Sequence, residues 1–379
     1  MHILIAPNAF KNSLPATAAA DIISEGLLHS KLNCTCDCFP VGDGGDGTAG
    51  LIIKHCGGKI VPVSVQDPLG RTINSSFGLI NNGRTAVIEM SDASGLRLLD
   101  PGEYDPLEAT TAGTGELIRS ALDAGVNKII MGIGGSATVD GAAGLLKVLG
   151  IRFLDASGKI LSKLPQSLVN LNSIDMSGLD KRILQCELIV LCDVENKLLG
   201  DHGAASVFGP QKGATAEGIK ILETALKKFR DISLKQTGFD MGAIKHGGAA
   251  GGTAAGVAAF LRAEIVNGID YFLQITEFNK YLDKADLVIT GEGSIDTQTL
   301  DGKGPFGVAR KAKEKNIPVI GLAGQVPLLP DKLLEKYFDV LLAIGNSPAD
   351  LATAMKSTAD NLRRTAVAVG NMLSVMSDE

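Results

Sequence analysis

The chain has no surplus of positive charge. Its 36 Lys and Arg stand against 42 Asp and Glu, a net charge of −6 at pH 7, which argues against a nucleic-acid partner held by phosphate neutralisation. Small anionic ligands need only a local cluster of cations and stay open. No apolar run approaches the ~20 residues that cross a bilayer, and the amino terminus has no basic region followed by a long apolar stretch. A cytoplasmic protein without a membrane partner is therefore expected. The six cysteines include no CxxC pair and have no His cluster beside them, so nothing resembles a secreted disulfide frame. Cys34, Cys36 and Cys38 alternate, which places all three on one face of a strand; a buried free-thiol face is expected there rather than a metal site. There is no GxxxxGK[ST] and no protein-kinase signature set, so neither a P-loop enzyme nor a protein kinase is indicated.

What is present is a chain of 379 residues, 45% of them hydrophobic. That length favours two domains, and that apolar content fills their cores. The stretch that organises the rest is Asp286 to Val308. Asp286–Thr290 is dense in Leu, Val and Ile, as in a strand buried on both faces of a parallel sheet. The strand is expected to stop there, giving way to a loop with Gly291, Glu292 and Gly293, then Asp296, Thr297, Thr299 and Asp301. Gly302, Lys303, Gly304 and Pro305 then open a helix. A strand-to-helix loop of this kind lies at the carboxyl edge of an open α/β sheet, where ligands bind. Its chemistry suits a phosphate and a metal ion: the glycines permit close backbone approach, the carboxylates can hold Mg²⁺, and Lys303 can neutralise a phosphate oxygen.

From the amino terminus, a buried strand at Ile3–Ala6, a helix from Pro15 to His29, a second strand at Cys34–Val41 and a helix to His55 give a β-α-β-α start. Gly58–Glu89 reads as several short strands, with turns at Asp67–Gly70 and at Asn81-Asn82-Gly83, the latter a tight-hairpin signal. Strands at Lys128–Ile133 and Cys186–Cys192, a helix over 216–235 and a Gly/Ala-rich helix over 248–263 follow. Strands at Asp286–Thr290, Pro318–Ala323 and Val340–Ile344 then alternate with helices. The last helix carries Leu351, Met355, Thr358, Leu362, Ala366, Val369 and Leu373 on one face. Joining the first two and last three strands predicts a flavodoxin-like doubly wound parallel sheet (residues 1–57 and 284–379). A mixed α/β domain (58–283) is inserted after the second strand. On that reading the loops at Asn8–Ser13 and Gly291–Asp301 are neighbours facing the inserted domain across a cleft.

The run Gly132-Ile133-Gly134-Gly135-Ser136-Ala137 matches the dinucleotide fingerprint GxGxxA, and Asp155 follows about twenty residues on. An NAD(P)-dependent oxidoreductase of small hydroxy acids is thus an alternative. A non-catalytic nucleotide or sugar-acid binding protein is another. The hydroxyls and carboxylate of Ser136–Asp140 favour a phosphate cradle of a different type. Loops at Ser91–Gly95, Thr110–Glu116, Cys192–Asn196 and Phe208–Gly213 read singly as turns or caps. Together, such Gly, Ser/Thr and Asp loops at strand ends are what a phosphoryl-transfer site needs.

The stretches APNAFKNSL (Ala6–Leu14), VGDGGDGT (Val41–Thr48), DPLGR (Asp67–Arg71), GTGELIRSALDAG, GIGGSATVDGAAGLL, CDVEN, FGPQKGAT and VITGEGSIDTQTLDGKGPFGVA resemble, in order and over nearly the whole chain, the glycerate kinase family of the type that forms 2-phosphoglycerate. The resemblance implies ATP-dependent, Mg²⁺-requiring phosphorylation of D-glycerate in glycerate or glyoxylate catabolism. The implied partners are small molecules, and the oligomeric state stays open. Departures from the family's pattern are Asn8 in place of Asp, Asp46 in place of Glu, and Lys197 in place of the Pro that often follows the Asn of CDVEN. By charge logic, Asp193, Asp296 and Lys11 are expected in catalysis, with Asp43, Asp193 and Asp296 as Mg²⁺ ligands. Asn8, Phe10, Arg71 and Ser94 are expected at the substrate. Gly134, Gly135, Ser136, Gly291, Gly293 and Lys303 are expected at ATP.

Overall fold

The computed structural model describes residues 1–329 and 331–377. The strands run, in chain order, β1 (His2–Ile5), β2 (Thr35–Cys38), β3 (Lys59–Gln66), β4 (Thr72–Ile80), β5 (Thr85–Glu89), β6 (Lys128–Gly132), β7 (Arg152–Leu154), β8 (Ser173–Asp175), β9 (Glu187–Cys192), β10 (Glu264–Asn267), β11 (Leu287–Ser294), β12 (Val319–Gln325) and β13 (Val340–Ala343). They belong to a mixed α/β chain of two compact units, one of Met1–Asp43 with Asn267–Glu379, the other of Gly44–Val266.

In the first unit the strand order is β13-β12-β11-β1-β2, and every neighbouring pair is parallel. Ile3, Leu4 and Ile5 have no exposed surface, as a strand covered on both faces requires. Each contributes at most about 1.5–3 kcal/mol through burial. The helix Ala16–Leu28 lies against the carboxy-terminal helix Thr358–Ser377 so closely that a Cβ at Gly26 would stand 2.7 Å from the Ala366 Cβ. Leu362, Ala366 and Val369 are buried as their spacing predicts. Leu351 is not: the helix Leu351–Lys356 ends at Ser357, and Leu351 is 76% exposed. The thiol face is also only partial. Cys34 and Cys36 are half-buried and pack on the core, whereas Cys38 is exposed, because β2 is an edge strand. Burial, with the adjacent Cys34, pushes the Cys36 thiol up to about 12.

The second unit has a sheet of order β10-β9-β6-β5-β4-β3 and a separate β7-β8 pair. β3, β4 and β5 are antiparallel neighbours; β5, β6 and β9 are parallel. The β4–β5 turn takes positive φ at Asn81, Asn82 and Gly83, the conformation that Asn and Gly tolerate best. In the core, Phe229 meets Phe153 edge-on at 5.3 Å and stacks on Phe260 at 5.6 Å. The helix Ala216–Thr237 starts at Thr215, whose hydroxyl accepts from Gly218 N, and stops at Gly238 in the left-handed region.

Three sequence expectations change here. The units exchange at Asp43/Gly44 and Val266/Asn267, not at 57/58 and 283/284. The helix Thr48–His55 packs on β4 and β5, where a Cβ at Gly78 would strike Ile53 at 2.2 Å; the helix Gly268–Ile275 packs on Gly307, whose Cβ would lie 2.4 Å from Ile269. The Gly/Ala-rich helix Ala249–Leu261 is not regular in its first turn: Ala250, Gly251 and Gly252 have left-handed dihedrals. There it rests on the loop after β6, since a Cβ at Gly251 would be 2.0 Å from Thr138 O and one at Gly256 2.0 Å from Gly141 O. Finally, β11 continues through Gly291, Glu292 and Gly293 to Ser294 instead of ending at Thr290. Gly291 pairs with Leu322, whose carbonyl would be 2.1 Å from a Cβ, so only glycine lets β12 stay paired at that point.

Candidate functional site

In the first unit the polar residues gather at the carboxyl ends of β1 and β11. Asn8 N–H donates to Gly291 O at 2.8 Å, which extends the pairing of the two strands past β1. The Asn8 amide then donates from Nδ2 to Asp43 Oδ2 at 2.7 Å, and Gly304 N–H reaches the same oxygen at 3.2 Å. Gly304 opens the helix Gly304–Lys313, with Lys303 at its N-cap, so Asp43 sits where the helix dipole favours a carboxylate. A side chain at Gly304 would meet Asn8 at 2.8 Å. Glu292, 8% exposed, accepts from Thr299 Oγ1 at 3.1 Å. Burial pushes its carboxyl up to about 7; Lys303 opposes that shift, and Asp43 and Asp296 add to it.

Lys11 is exposed, and its backbone nitrogen lies 3.7 Å from where Gly293 would carry a Cβ. The structure thus brings together Asn8, Lys11, Asp43, Gly291, Gly293, Asp296 and Lys303. Phe10 is 2% exposed and packs in the apolar core under the loop. Beside Asp296 opens a pocket of about 310 Å³ lined by Ser294, Thr297, Gln325, Val326 and Leu328.

In the second unit the ends of β5, β6 and β9 are level, with Glu89 beside Gly132 and Gly132 beside Leu191. After β6 the chain turns at Gly134 and Gly135. Gly134 N–H donates to Gly44 O at 3.0 Å, and Gly135 has φ +67° with the Asp46 carboxylate where a Cβ would be. Ser136 is 7% exposed; its Oγ accepts from Lys212 Nζ at 2.8 Å, and Lys212 also donates to Thr138 O at 2.7 Å. Lys212 itself is only 3% exposed. Burial brings its ammonium down to about 7, against the pull of Asp140. Asp140 is fully occupied in shaping the loop, accepting from Thr111 N, Thr111 Oγ1, Ala142 N and Gly144 N.

Glu89 accepts from Ala49 N through Oε2 at 2.9 Å, while its buried Oε1 has no partner. Burial pushes this carboxyl up to about 8. Ser94 lies behind the loop: its Oγ accepts from Thr114 and its carbonyl from Ala137 N. Asp193 follows β9 directly and is half-buried. Arg71 is not gathered with these groups. Its guanidinium is held by Asp67 Oδ2 at 2.5 Å and Glu103 Oε1 at 2.6 Å, so two carboxylates already neutralise it.

Sequence reasoning gave no individual role to Glu292, Glu89 or Lys212. Glu292 was signalled by a carboxylate set between two glycines of a strand, and Lys212 by a lysine set between Pro210 and Gly213. The dinucleotide alternative fails on local geometry. After Ala137 the chain stays out of helix through Ala142, both Gly141 and Ala142 have positive φ, and the next helix begins only at Ala143. Asp155, the would-be ribose acid, is taken up by its own turn through Ser157 and Lys159 N. Among the described residues no group of three or more His, Cys, Asp or Glu is arranged to hold a metal ion, and no helix is long and apolar enough to cross a membrane.

Comparison with known proteins identifies the family. Residues 3–374 match the model of the glycerate kinase family. The chain is 43% identical over 366 residues to a glycerate kinase of Bacillus subtilis, covering 97% of this chain and 96% of that one. It is 40% identical over 379 residues to the glycerate 2-kinase of Escherichia coli K12, covering 99% and 98%. The crystal structure of a candidate glycerate kinase 2 from Salmonella typhimurium LT2 superposes with a TM-score of 0.83 at 43% identity, over 100% of both chains. The chain belongs to the glycerate kinase family.

Proposed function

We propose that the protein transfers the γ-phosphoryl group of ATP to the 2-hydroxyl of D-glycerate, giving 2-phosphoglycerate and ADP, in the cytoplasm. The carrying observation is family membership over residues 3–374, together with the carboxylates, lysines and glycine turns at the strand ends. The sheet order β2-β1-β11-β12-β13, all parallel, supports a flavodoxin-like doubly wound unit, with the second α/β unit inserted between β2 and β11. The order reverses between β1 and β11, where ligands of such sheets bind. Asn8, Lys11, Gly291, Gly293, Asp296 and Lys303 flank that point.

In this proposal Lys303 and the Gly291 and Gly293 backbone hold ATP phosphates, as do Gly134, Gly135 and Ser136. Lys11 and Asn8 orient glycerate, with Phe10 and Ser94 as the supports beneath their loops. Asp193 takes the proton of the attacking hydroxyl as its oxygen bonds to phosphorus and the bond from phosphorus to the β-phosphate oxygen breaks. Mg²⁺ fits the donors in the first unit: Asp43 and Asp296 are hard oxygen ligands, and both add to the upward shift that burial chiefly imposes on the adjacent Glu292, a negative charge that a cation would offset. When bound, the ion would supply charge neutralisation for the phosphates. Two carboxylates suffice, since Mg²⁺ is usually completed by phosphates and water.

The test is ATP consumption by purified protein. It should require both D-glycerate and Mg²⁺, and phosphorus NMR should show 2-phosphoglycerate. Formation of 3-phosphoglycerate would overturn the regiochemistry, and absence of glycerate-dependent ADP release would overturn the activity.

A further inference from the structure

Among the described residues, Lys212 is the one lysine or arginine withdrawn to the level of the core. The turn Pro210–Lys212 ends at Gly213, with φ +94° and a Cβ position 2.2 Å from Tyr104 O. Only glycine fits there, and the turn carries the lysine stem inward. No carboxylate lies within ion-pair distance of Nζ among the described residues. The anion that acts on it, Asp140, already accepts four hydrogen bonds from Thr111, Ala142 and Gly144. An apolar side chain would fill this space at far lower desolvation cost.

The hydrogen bonds show where the cation is directed. Two of the three Nζ protons go to Ser136 Oγ and Thr138 O. Because Ser136 Oγ accepts from an ammonium, its own proton must point away from Lys212. No acceptor within the described residues takes that proton, and the buried Thr138 Oγ1 has no partner either. The loop therefore holds a cation and two unspent hydroxyls beside the Gly134-Gly135 turn. These are donors without an acceptor, which is what an anion receptor offers.

We propose that Lys212 is a positioning residue for anion binding by the Gly134–Thr138 loop: by bridging Ser136 Oγ and Thr138 O it fixes the loop and turns the Ser136 hydroxyl outward as donor to a phosphate oxygen. The inference rests on the reading of this loop as a cradle for ATP phosphates. The lowering of the Lys212 ammonium toward neutrality by burial agrees with it, since an arriving anion restores the charged form.

A double-mutant cycle on the full chain tests the inference, with Lys212→Met, Ser136→Ala and the pair. Each single change should raise KM for ATP by at least about tenfold while KM for D-glycerate changes less than about twofold, and the pair should be no worse than the poorer single. Lys212→Gln, which keeps a donor without the charge, should recover part of the loss; it also carries the cycle if Lys212→Met does not fold. Effects that multiply, or kinetics unchanged in folded Lys212→Met, overturn the role of Lys212. In the second case glycerate-dependent ADP release by the wild type leaves the proposed activity standing. A non-additive cycle whose effect falls on KM for glycerate keeps Lys212 and Ser136 coupled but overturns the assignment of the loop to ATP.

Discussion

The two units place polar loops at the same position, the carboxyl ends of parallel strands, and give them opposite electrostatic character. In the first unit Asp43, Glu292 and Asp296 crowd together, relieved by Lys303 and by the Asn8 amide. In the second, the buried Lys212 donates to a hydroxyl and a carbonyl and, among the described residues, makes no ion pair. The first arrangement wants a cation; the second wants an anion. Sheet edges alike in backbone thus differ in charge through a few side chains rather than through the fold.

The largest expected effects fall on the two aspartates proposed for catalysis. Asp193→Asn and Asp296→Asn should each lower kcat by at least about a hundredfold, with circular dichroism unchanged, and the double variant should be no worse than the poorer single. Rate losses that multiply would break the comparison and leave one aspartate with a structural role only. Next is Lys303, the half-buried cation of the first unit. Lys303→Ala should cost about tenfold or more in kcat or in KM for ATP, roughly 1.4 kcal/mol. Steady-state kinetics indistinguishable from wild type would return Lys303 to the solvated surface.

A smaller effect sharpens the contrast through pH. Lys212 is depressed in the fold to about 7, so between there and its unfolded value of 10.5 the unfolded chain holds more protons. Stability should then rise with pH across that window, and be lost as pH falls through 7. Glu89 is raised from 4.5 to about 8 by burial, with Asp92 and Asp46 adding to it and Ala49 N and Arg97 opposing. Its contribution is present below 4.5 and is lost as pH rises to 8. Unfolding midpoints of the ligand-free protein should accordingly dip near neutrality. Lys212→Met should flatten the alkaline limb and Glu89→Gln the acid limb, by a few kcal/mol at most. Parallel curves for all three proteins would contradict these assignments. A last effect, reversible by Mg²⁺, concerns Asn8→Asp, which replaces a 2.7 Å hydrogen bond with a pair of like charges at Asp43. It should cost about 1–3 kcal/mol in the absence of Mg²⁺ and much of that should return when Mg²⁺ is added, as read by thermal melts with and without chelator. A loss that Mg²⁺ does not repair would place the ion elsewhere.

Much of this was legible in the residues. Most strands of the two larger sheets announce themselves by apolar density, and the family motifs fall on the loops that follow them. What escaped was set by long-range packing. β11 runs on through Gly291 because β12 needs a partner there, although three residues of low strand preference argue for a loop. The residues of β7, β8 and β10 number three or four each, too few for periodicity to register. Leu351 keeps the helical spacing but lies beyond a break at Ser357. Lys212 reads as part of a polar turn, and only the close approach of Gly213 to Tyr104 O reveals that it is carried inward.

The left-handed entry to the helix Ala249–Leu261 bears on how this protein can be improved. A common route to thermal stability replaces glycine with alanine and gains about 0.4–1 kcal/mol by narrowing the unfolded ensemble. Of the 46 glycines in the chain, Gly251 and Gly256 offer no such gain. Their missing methyls are the space in which Thr138 O and Gly141 O lie, so an alanine there would displace the loop that carries Ser136. Engineering for heat resistance must work around this seam. The conformational freedom these positions surrender on folding is a standing cost of keeping the loop backbone close.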